Sequence, residues 1–313
     1  MLQYYSSNRE QLLCTKEVVA RLTEAPTPLP EDIELIYDGR NKLYAIAGRN
    51  VVVKSFKVPC FLQRIVYSWL RPSKAKRSYD NAVELQHKQI GTAAPMGYAL
   101  EYSGGLLRHS YYVSELLNDC SDLRAAMLGK ADDPELYASF GRFVGHLHES
   151  GVYHKDLSPG NILYNLSKKN EYHFFLIDIN RMKCYSHPLP DRLAYGNFAR
   201  LSDQPWVSEL LAKHYADYRK MERETCIKQI QAASDRFYCS KVYKYALRRL
   251  RSEGMSPWTF RIAYLQYRLL RIGRRFFGLP KQLFRKETEL YRQYLRVGDV
   301  RGSLARRENY PNN

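Results

Sequence analysis

The chain has 313 residues, 45% of them hydrophobic and 13% aromatic, which excludes a disordered or low-complexity protein and leaves room for about two lobes with a substantial core. Its 49 Lys+Arg against 32 Asp+Glu give a net charge of +17, so an anionic partner is expected. Met1–Glu10 has no apolar core for a secretory leader, no stretch nears the ~20 apolar residues of a bilayer span, and six dispersed cysteines without a C-x-x-C pair predict neither zinc nor disulfides and a reducing, cytoplasmic setting.

Residues 1–30 carry no strong signal and close on a Pro-rich segment. Ile33–Tyr37, Leu43–Ile46 and Val51–Phe56 read as strands, joined by turns at Asp38-Gly39 and Gly48-Arg49-Asn50. A helix is predicted from Ser73 to Gln89, ended by Gly91 and Pro95. Strands follow near Met96–Tyr102 and Ser110–Glu115, then a joint near Leu116–Ser121. A helix over 134–150 has Pro134 in its first turn and Leu136, Phe140, Phe143, Val144 and Leu147 on one side. His146 and His148 on it read as packing residues, since imidazole does not suit a hard cation. A loop, His154–Asn161, leads into a hairpin of Ile162–Tyr164 and Tyr172–Ile177. From about Trp206 onward the chain reads as helical.

The charge is unevenly placed. Residues 241–313 hold 18 Lys+Arg and 5 Asp+Glu, and residues 51–77 hold seven basic residues and no acid. In the tail, Ser256-Pro257 opens a helix with Trp258, Phe260, Ile262, Leu265, Leu269 and Ile272 on one side. Arg261, Arg268, Arg271 and Arg275 fall near one face, and Phe276, Phe277, Leu279 and Leu283 follow. An Arg-rich amphipathic helix suits an anionic membrane surface. No nucleic-acid recognition motif accompanies the charge, so nucleic acid is disfavoured as the partner.

The most informative residues are His154-Lys155-Asp156-Leu157-Ser158-Pro159-Gly160-Asn161 and, after the hairpin, Asp178-Ile179-Asn180. Asn161 offers a carbonyl oxygen and Asp178 a carboxylate, both suited to Mg²⁺. Asp156 can then orient and deprotonate an attacking hydroxyl. Lys54 stands inside the apolar run Val51–Phe56, where an ammonium needs anionic partners.

These residues resemble the protein-kinase-like superfamily. His154-x-Asp156-x₄-Asn161 matches its catalytic loop, Lys54 its strand lysine, and Asp178-Ile179-Asn180 its metal-binding turn, in the right order over about residues 33–182. Ser158 replaces the lysine of protein-serine kinases, Lys155 their arginine, and no Ala-Pro-Glu segment follows. Asp-Leu-x-Pro-Gly-Asn looks more like small-molecule kinases such as aminoglycoside phosphotransferases. Asp178-x-Asn180-Arg181, Val66–Leu70 with Lys76–Tyr79, and Asn197-Phe198-x-Arg200-Leu201 look most like the lipopolysaccharide kinase family, which phosphorylates inner-core 3-deoxy-D-manno-octulosonic acid (Kdo) or heptose.

The resemblance implies an α+β, two-lobed protein-kinase-like fold: a small mixed N-terminal lobe (1–117), a larger, mainly helical catalytic lobe (118–240) and a basic helical extension (241–313). It implies ATP and Mg²⁺ as cofactors and a lipopolysaccharide precursor, Kdo–lipid A, as substrate at the inner face of the cytoplasmic membrane. Asp156 would be the catalytic base; Asn161 and Asp178 the metal ligands. Lys54 would hold the α/β-phosphates, braced by Glu84 or by Asp80 one turn earlier, although the family's spacing falls nearest Asn81. Gly39, Arg40 and Asn41 would cover the phosphates, Glu115, Leu116 and Leu117 would receive adenine, and Lys155, Ser158 and Arg181 would contact the acceptor. A kinase of another small molecule or of a protein, and a catalytically weak pseudokinase or scaffold, are the alternatives.

Overall fold

The computed structural model describes residues 2–26, 28–252, 254 and 256–277. Leu279, Leu283 and the rest of the extension beyond residue 277 lie outside the described residues.

The N-terminal lobe is built on six strands: β1 (Leu2–Tyr5), β2 (Ile33–Asp38), β3 (Lys42–Ile46), β4 (Val51–Ser55), β5 (Pro95–Ser103) and β6 (Leu106–Glu115). They form one antiparallel sheet in the order β1-β5-β6-β4-β3-β2. The two predicted strands near residues 96–115 form a single hairpin. Gly104 and Gly105, at φ +57° and +74°, make its turn, a conformation open to glycine.

Two elements of this lobe lack a clear sequence signal. β1 adds an edge strand to β5, and helix α1 (Arg9–Glu24) starts where the Asn8 side chain accepts the Gln11 N–H at 2.8 Å. Val18 and Val19 of α1 bury against Ile46, Val51, Val53, Ala99 and Val113 of the sheet, a second core on one face. Between β4 and the next long helix lies a short helical segment, α2 (Phe61–Ile65), continued as a π-turn over Val66–Leu70.

Helix α3 (Lys74–His87) begins at Ser73, whose hydroxyl accepts the Lys76 N–H at 3.0 Å. It buries Ala75, Tyr79, Ala82 and Leu85 against the sheet's other face. That core runs without interruption into the second lobe through Leu123, Phe140, Leu147, Leu157, Ile162 and Leu176.

The second lobe opens with β7 (Ser121–Asp122), α4 (Arg124–Met127) and α5 (Pro134–Glu149), the last capped by Asp133 with Pro134 at its first turn. Then come β8 (Val152–Tyr153), the hairpin β9 (Ile162–Leu166) and β10 (Tyr172–Leu176), and β11 (Lys183–Cys184), which pairs back on β8. Helices α6 (Asp191–Asn197), α7 (Pro205–Arg219), α8 (Arg223–Ser252) and α9 (Pro257–Phe277) complete the described chain. The boundary expected at residue 240 falls inside α8, which runs through it unbroken.

The lobes are joined by the strand-end connection after Glu115 and by a second tie. Thr92, just beyond α3, forms a bridge with Leu176: Thr92 Oγ1 donates to Leu176 O at 2.8 Å, and Leu176 N–H donates to Gly91 O at 2.8 Å. The approach is close enough that a Cβ on Gly91 would lie 2.0 Å from Phe174 O.

Candidate active site

The site is assembled where three backbone turns meet between the lobes. α5 ends at Gly151, β8 takes two residues, and the loop from His154 to Asn161 begins. Pairing of β8 with β11 fixes that loop beside the segment 178–182, so two sequence-distant motifs share one wall.

Buried polar groups lock the geometry. His154 has no exposed surface; its Nε2 lies 3.2 Å from Ile177 O, and its Nδ1 accepts the Asp156 N–H at 3.3 Å. The Nε2–H tautomer satisfies both contacts, and burial lowers the imidazole pKa, keeping the ring neutral. His154 therefore ties its loop to the end of β10. Asn161 adds a second tie, its carbonyl accepting the Ile177 N–H at 3.0 Å.

Behind the loop runs a longer chain of polar contacts. Asn197 Nδ2 donates to His154 O at 2.8 Å, and Asn197 Oδ1 lies 3.1 Å from His148 Nε2. His148 Nδ1 faces Tyr215 OH at 2.9 Å, which in turn accepts from Arg219 Nη1 at 2.8 Å. His148 is fully buried, and burial pulls its pKa down to about 3, so it acts as a neutral link between α5, α6 and α7.

The working groups stand on this frame. Asn161 Nδ2 donates to Asp156 O at 2.9 Å, which commits the amide nitrogen to the loop and leaves Oδ1 as the acceptor of that side chain. Asp178 sits in the left-handed region at φ +53°, a conformation that costs a non-glycine residue about 1–2 kcal/mol and recurs at functional turns. Its Oδ1 accepts from Lys54 Nζ and from Asn180 Nδ2, both at 2.8 Å. Burial alone would raise the Asp178 pKa, but pairing with Lys54, with Arg181 adding to it, holds it below the usual carboxylate value. Lys54 projects from β4, only 17% exposed, with its ammonium 5.5 Å from the Phe56 ring centre.

Between these groups and the strand-end connection lies a cavity of about 550 Å³. Val52 and Leu43 form its apolar roof, Leu163 and Leu176 its floor, and Glu115, Leu116 and Leu117 its back wall. Arg40 and Asn41, from the turn between β2 and β3, line its outer part beside Lys54 and Asp178, and adjacent Gly39 tucks under the Tyr37 ring. A largely apolar cavity bordered by cations and oxygen donors suits a nucleoside triphosphate.

Three expectations need correction or completion. Glu84 does not brace Lys54: it pairs with Lys88 at 3.4 Å, near Cys184, while Asp80 pairs with Lys76 at 3.0 Å. Both acids find a lysine one helical turn away, a pairing that spacing along one helix favours. The turn of α3 that faces the 178–182 segment carries Asn81, whose Nδ2 donates to Ile179 O at 2.7 Å, and Arg77, whose Nη1 donates to Asn180 O at 2.9 Å. Lys54 takes its carboxylate from Asp178 instead. Second, the Leu116 N–H donates to Asn50 O at 2.9 Å, so that amide is committed to the sheet rather than to adenine. Third, Asp156 has a partner that its motif does not announce: Arg200 Nη1 bonds Asp156 Oδ1, with the guanidinium 5.2 Å from the Phe237 ring centre on α8. The Asn197-Phe198-x-Arg200 pattern was visible, but its link to Asp156 depends on the fold.

Lys155 is exposed beside Asp156, Ser158 O accepts the Asn161 N–H at 2.8 Å, and Arg181 is exposed next to Asp178. Lys74 adds a cation that sequence reading did not place here: its ammonium lies 6.0 Å from the Phe56 ring centre. Burial, with Arg40, Arg77 and Arg181 around it, lowers its pKa. Among the described residues no cluster of three or more His, Cys, Asp or Glu could hold a metal by itself. The oxygen donors of Asn161 and Asp178 nevertheless suit a hard cation whose remaining ligands come from phosphates and water.

The lobes, the interlobe cavity and this constellation define a protein-kinase-like fold with a phosphotransferase-type cleft. The chain belongs to the lipopolysaccharide kinase (Kdo/WaaP) family, whose model matches residues 49–224. It is 27% identical over 179 residues to a 3-deoxy-D-manno-octulosonic acid kinase of Vibrio cholerae serotype O1; the match covers 56% of this chain and 66% of that protein, just under two thirds of its length. Among solved structures it is similar to WaaP in complex with acyl carrier protein, at 15% identity and a TM-score of 0.49 over 75% of this chain and 99% of that one. It is also similar to the Rio2 kinase–ADP/Mg²⁺–phosphoaspartate complex of Chaetomium thermophilum, at 15% identity and a TM-score of 0.38 over 72% and 75% of the respective chains.

Proposed function

We propose that the protein transfers the γ-phosphoryl group of ATP to a hydroxyl of Kdo or heptose in the inner core of a lipopolysaccharide precursor. The observation that carries this reading is that Lys54, Asn161 and Asp178 line one cleft, with Asp156 on the loop that Asn161 closes, in a chain of the lipopolysaccharide kinase family.

In this reading adenine lies between Val52 and Leu163 against the Glu115–Leu117 wall, and the phosphates extend toward Lys54, Arg40 and Lys74. Asn161 Oδ1 and the Asp178 carboxylate are the ligands for Mg²⁺. When bound, that ion neutralises charge on the phosphates and orients the transferred group. Asp156, held by Arg200 and by its loop, accepts the proton of the attacking sugar hydroxyl while that oxygen bonds to the γ-phosphorus and ADP leaves. Lys155 and Arg181 are the exposed cations for carboxylate and phosphate groups of the acceptor.

A peripheral position on an anionic membrane agrees with the substrate. α9 leaves Trp258, Ile262, Leu265, Leu269 and Ile272 exposed as one apolar stripe. No described helix is long and apolar enough to cross a membrane.

The test is transfer of labelled γ-phosphate to purified Kdo–lipid A, with aminoglycosides and casein as comparison acceptors. Transfer to the lipid alone is expected; transfer only to a comparison acceptor, or ATP binding without transfer, would reject the assignment. Asp156→Ala should lower kcat by roughly 10²–10⁴-fold and leave nucleotide affinity near that of the parent. Parent-like turnover in that variant would remove Asp156 from the role of base.

A further inference from the structure

The segment between β4 and α3 is amphipathic in the wrong direction for a globular helix. Arg64 and Ser68, two of its polar residues, face the protein. Arg64 Nε donates to Leu107 O at 3.0 Å, and Ser68 Oγ donates to Arg64 O at 2.7 Å while accepting the Leu107 N–H at 2.9 Å. Tyr67 packs on the core beneath Arg77, whose guanidinium is 6.0 Å from its ring centre.

Its apolar residues face outward. Phe61 is 64% exposed, Leu62 73%, Trp69 70% and Leu70 78%, with Val58 and Val66 also exposed. At helical spacing Phe61, Leu62, Val66, Trp69 and Leu70 share one side, so they form a patch rather than scattered surface residues, with Val58 just before it. The anchoring contacts to the start of β6 fix the segment in that orientation.

The surroundings select the occupant. Residues 51–77 contain Lys54, Lys57, Arg64, Arg71, Lys74, Lys76 and Arg77 and no Asp or Glu. Lys57 and Arg71 bracket the patch and are exposed. A Trp and aliphatic residues between cations match the boundary of a bilayer bearing anionic headgroups, where apolar groups enter the acyl region and cations meet the phosphates. Ten residues are too few to span, so the element lies in one leaflet.

Its position matters as much as its chemistry. The chain leaves the cleft at Lys54, forms the patch, and returns to the cleft at Ser78 on α3. We propose that residues 58–70 insert into the interface of an anionic membrane at the edge of the cleft, so that a lipid-borne acceptor is presented to Asp156 without leaving its leaflet. This deepens the acceptor reading above and rests on it only for the nature of the molecule presented.

The experiment uses the full chain and vesicles of phosphatidylcholine with phosphatidylglycerol. Brominated lipid should quench emission from the parent protein, and the quenching should diminish in Trp69→Phe, since Trp69 would sit at acyl depth and only the share of Trp258 on α9 would remain. Leu62→Ser/Leu70→Ser removes only exposed apolar groups, so folding is retained. It should weaken vesicle binding about tenfold or more and raise KM for vesicle-borne Kdo–lipid A. KM for ATP and turnover on the delipidated acceptor sugar should stay unchanged. Undiminished quenching in Trp69→Phe, parent-like vesicle binding by the Leu variant, or burial of this patch in a dimer that persists with vesicles present would overturn the proposal. Quenching needs no catalysis, so a failed acceptor assay leaves this result readable, and a failed insertion leaves the kinase assignment standing.

Discussion

Asp156 is held by Arg200, and the pairing shows what sequence alone conveys. The residue types at 54, 156, 161 and 178 were legible because the duty proposed for each admits few other side chains, and their order along the chain matches the family's. Partners that depend on three-dimensional approach were not. Arg200 lies 44 positions from Asp156, and only the turn at the end of α6 brings it there. Glu84 fails as a brace for the converse reason: a helix offers a lysine one turn away, and local pairing takes precedence. A charge-assisted hydrogen bond contributes about 1.5–3 kcal/mol. Arg200→Ala should therefore lower kcat by roughly 10–100-fold with KM for ATP nearly constant, and Arg200→Lys should restore part of the loss. Steady-state kinetics on both variants check this, and an unchanged kcat in Arg200→Ala would remove the pairing from catalysis.

Among the elements, α5 and the hairpin β9–β10 were readable from apolar spacing and turn residues, and α7 only as part of the chain that reads as helical from about Trp206 onward. β1 and α1 were not. A four-residue edge strand has no pattern of its own, and its partner β5 lies more than ninety residues away. The buried link through His148 and His154 gives the elements a shared pH response. Both rings are held neutral in the fold, whereas an unfolded imidazole binds a proton below about pH 6.5. The unfolded chain therefore binds more protons as pH falls below that value, and stability is lost with acid until the folded pKa is reached, about 3 for His148. At pH 5.5 His148 alone should remove about 1.4 kcal/mol relative to pH 7.5, with His154 acting in the same direction. Urea unfolding at the two pH values measures it; in His148→Gln the pH-dependent difference should shrink. The Gly91 contact yields a second prediction at this scale. A methyl group there must displace the Phe174 carbonyl, so Gly91→Ala should destabilise the protein by about 1–3 kcal/mol, read as a lower unfolding midpoint.

Taken as a whole, the chain carries its surplus charge in two segments, residues 51–77, which border the cleft, and residues 241–313. The amphipathic reading of residues 256–272 agrees with the exposed stripe on α9, whereas the outward patch at residues 61–70 had no sequence signal, because a short apolar run reads as core until its neighbours are known. Binding of the full chain to anionic vesicles should fall steeply as salt shortens the screening length from about 10 Å at 0.1 M to about 3 Å at 1 M. Flotation assays across that range check it, and salt-independent binding would assign attachment to apolar contact alone. The two ties between the lobes have a mechanical consequence. A body pinned at two points can turn only about the line through them. The connection after Glu115 and the Thr92–Leu176 bridge are such pins, both at the back of the cavity. A rotation of the lobes about that line would widen or narrow the mouth while the rear wall keeps its width. The Lys54–Asp178 pair and the bonds from Arg77 and Asn81 to the 179–180 carbonyls lie off that axis and act as its clasp. In the proposed reading, nucleotide exchange then becomes a matter of unfastening three polar contacts rather than of separating two domains.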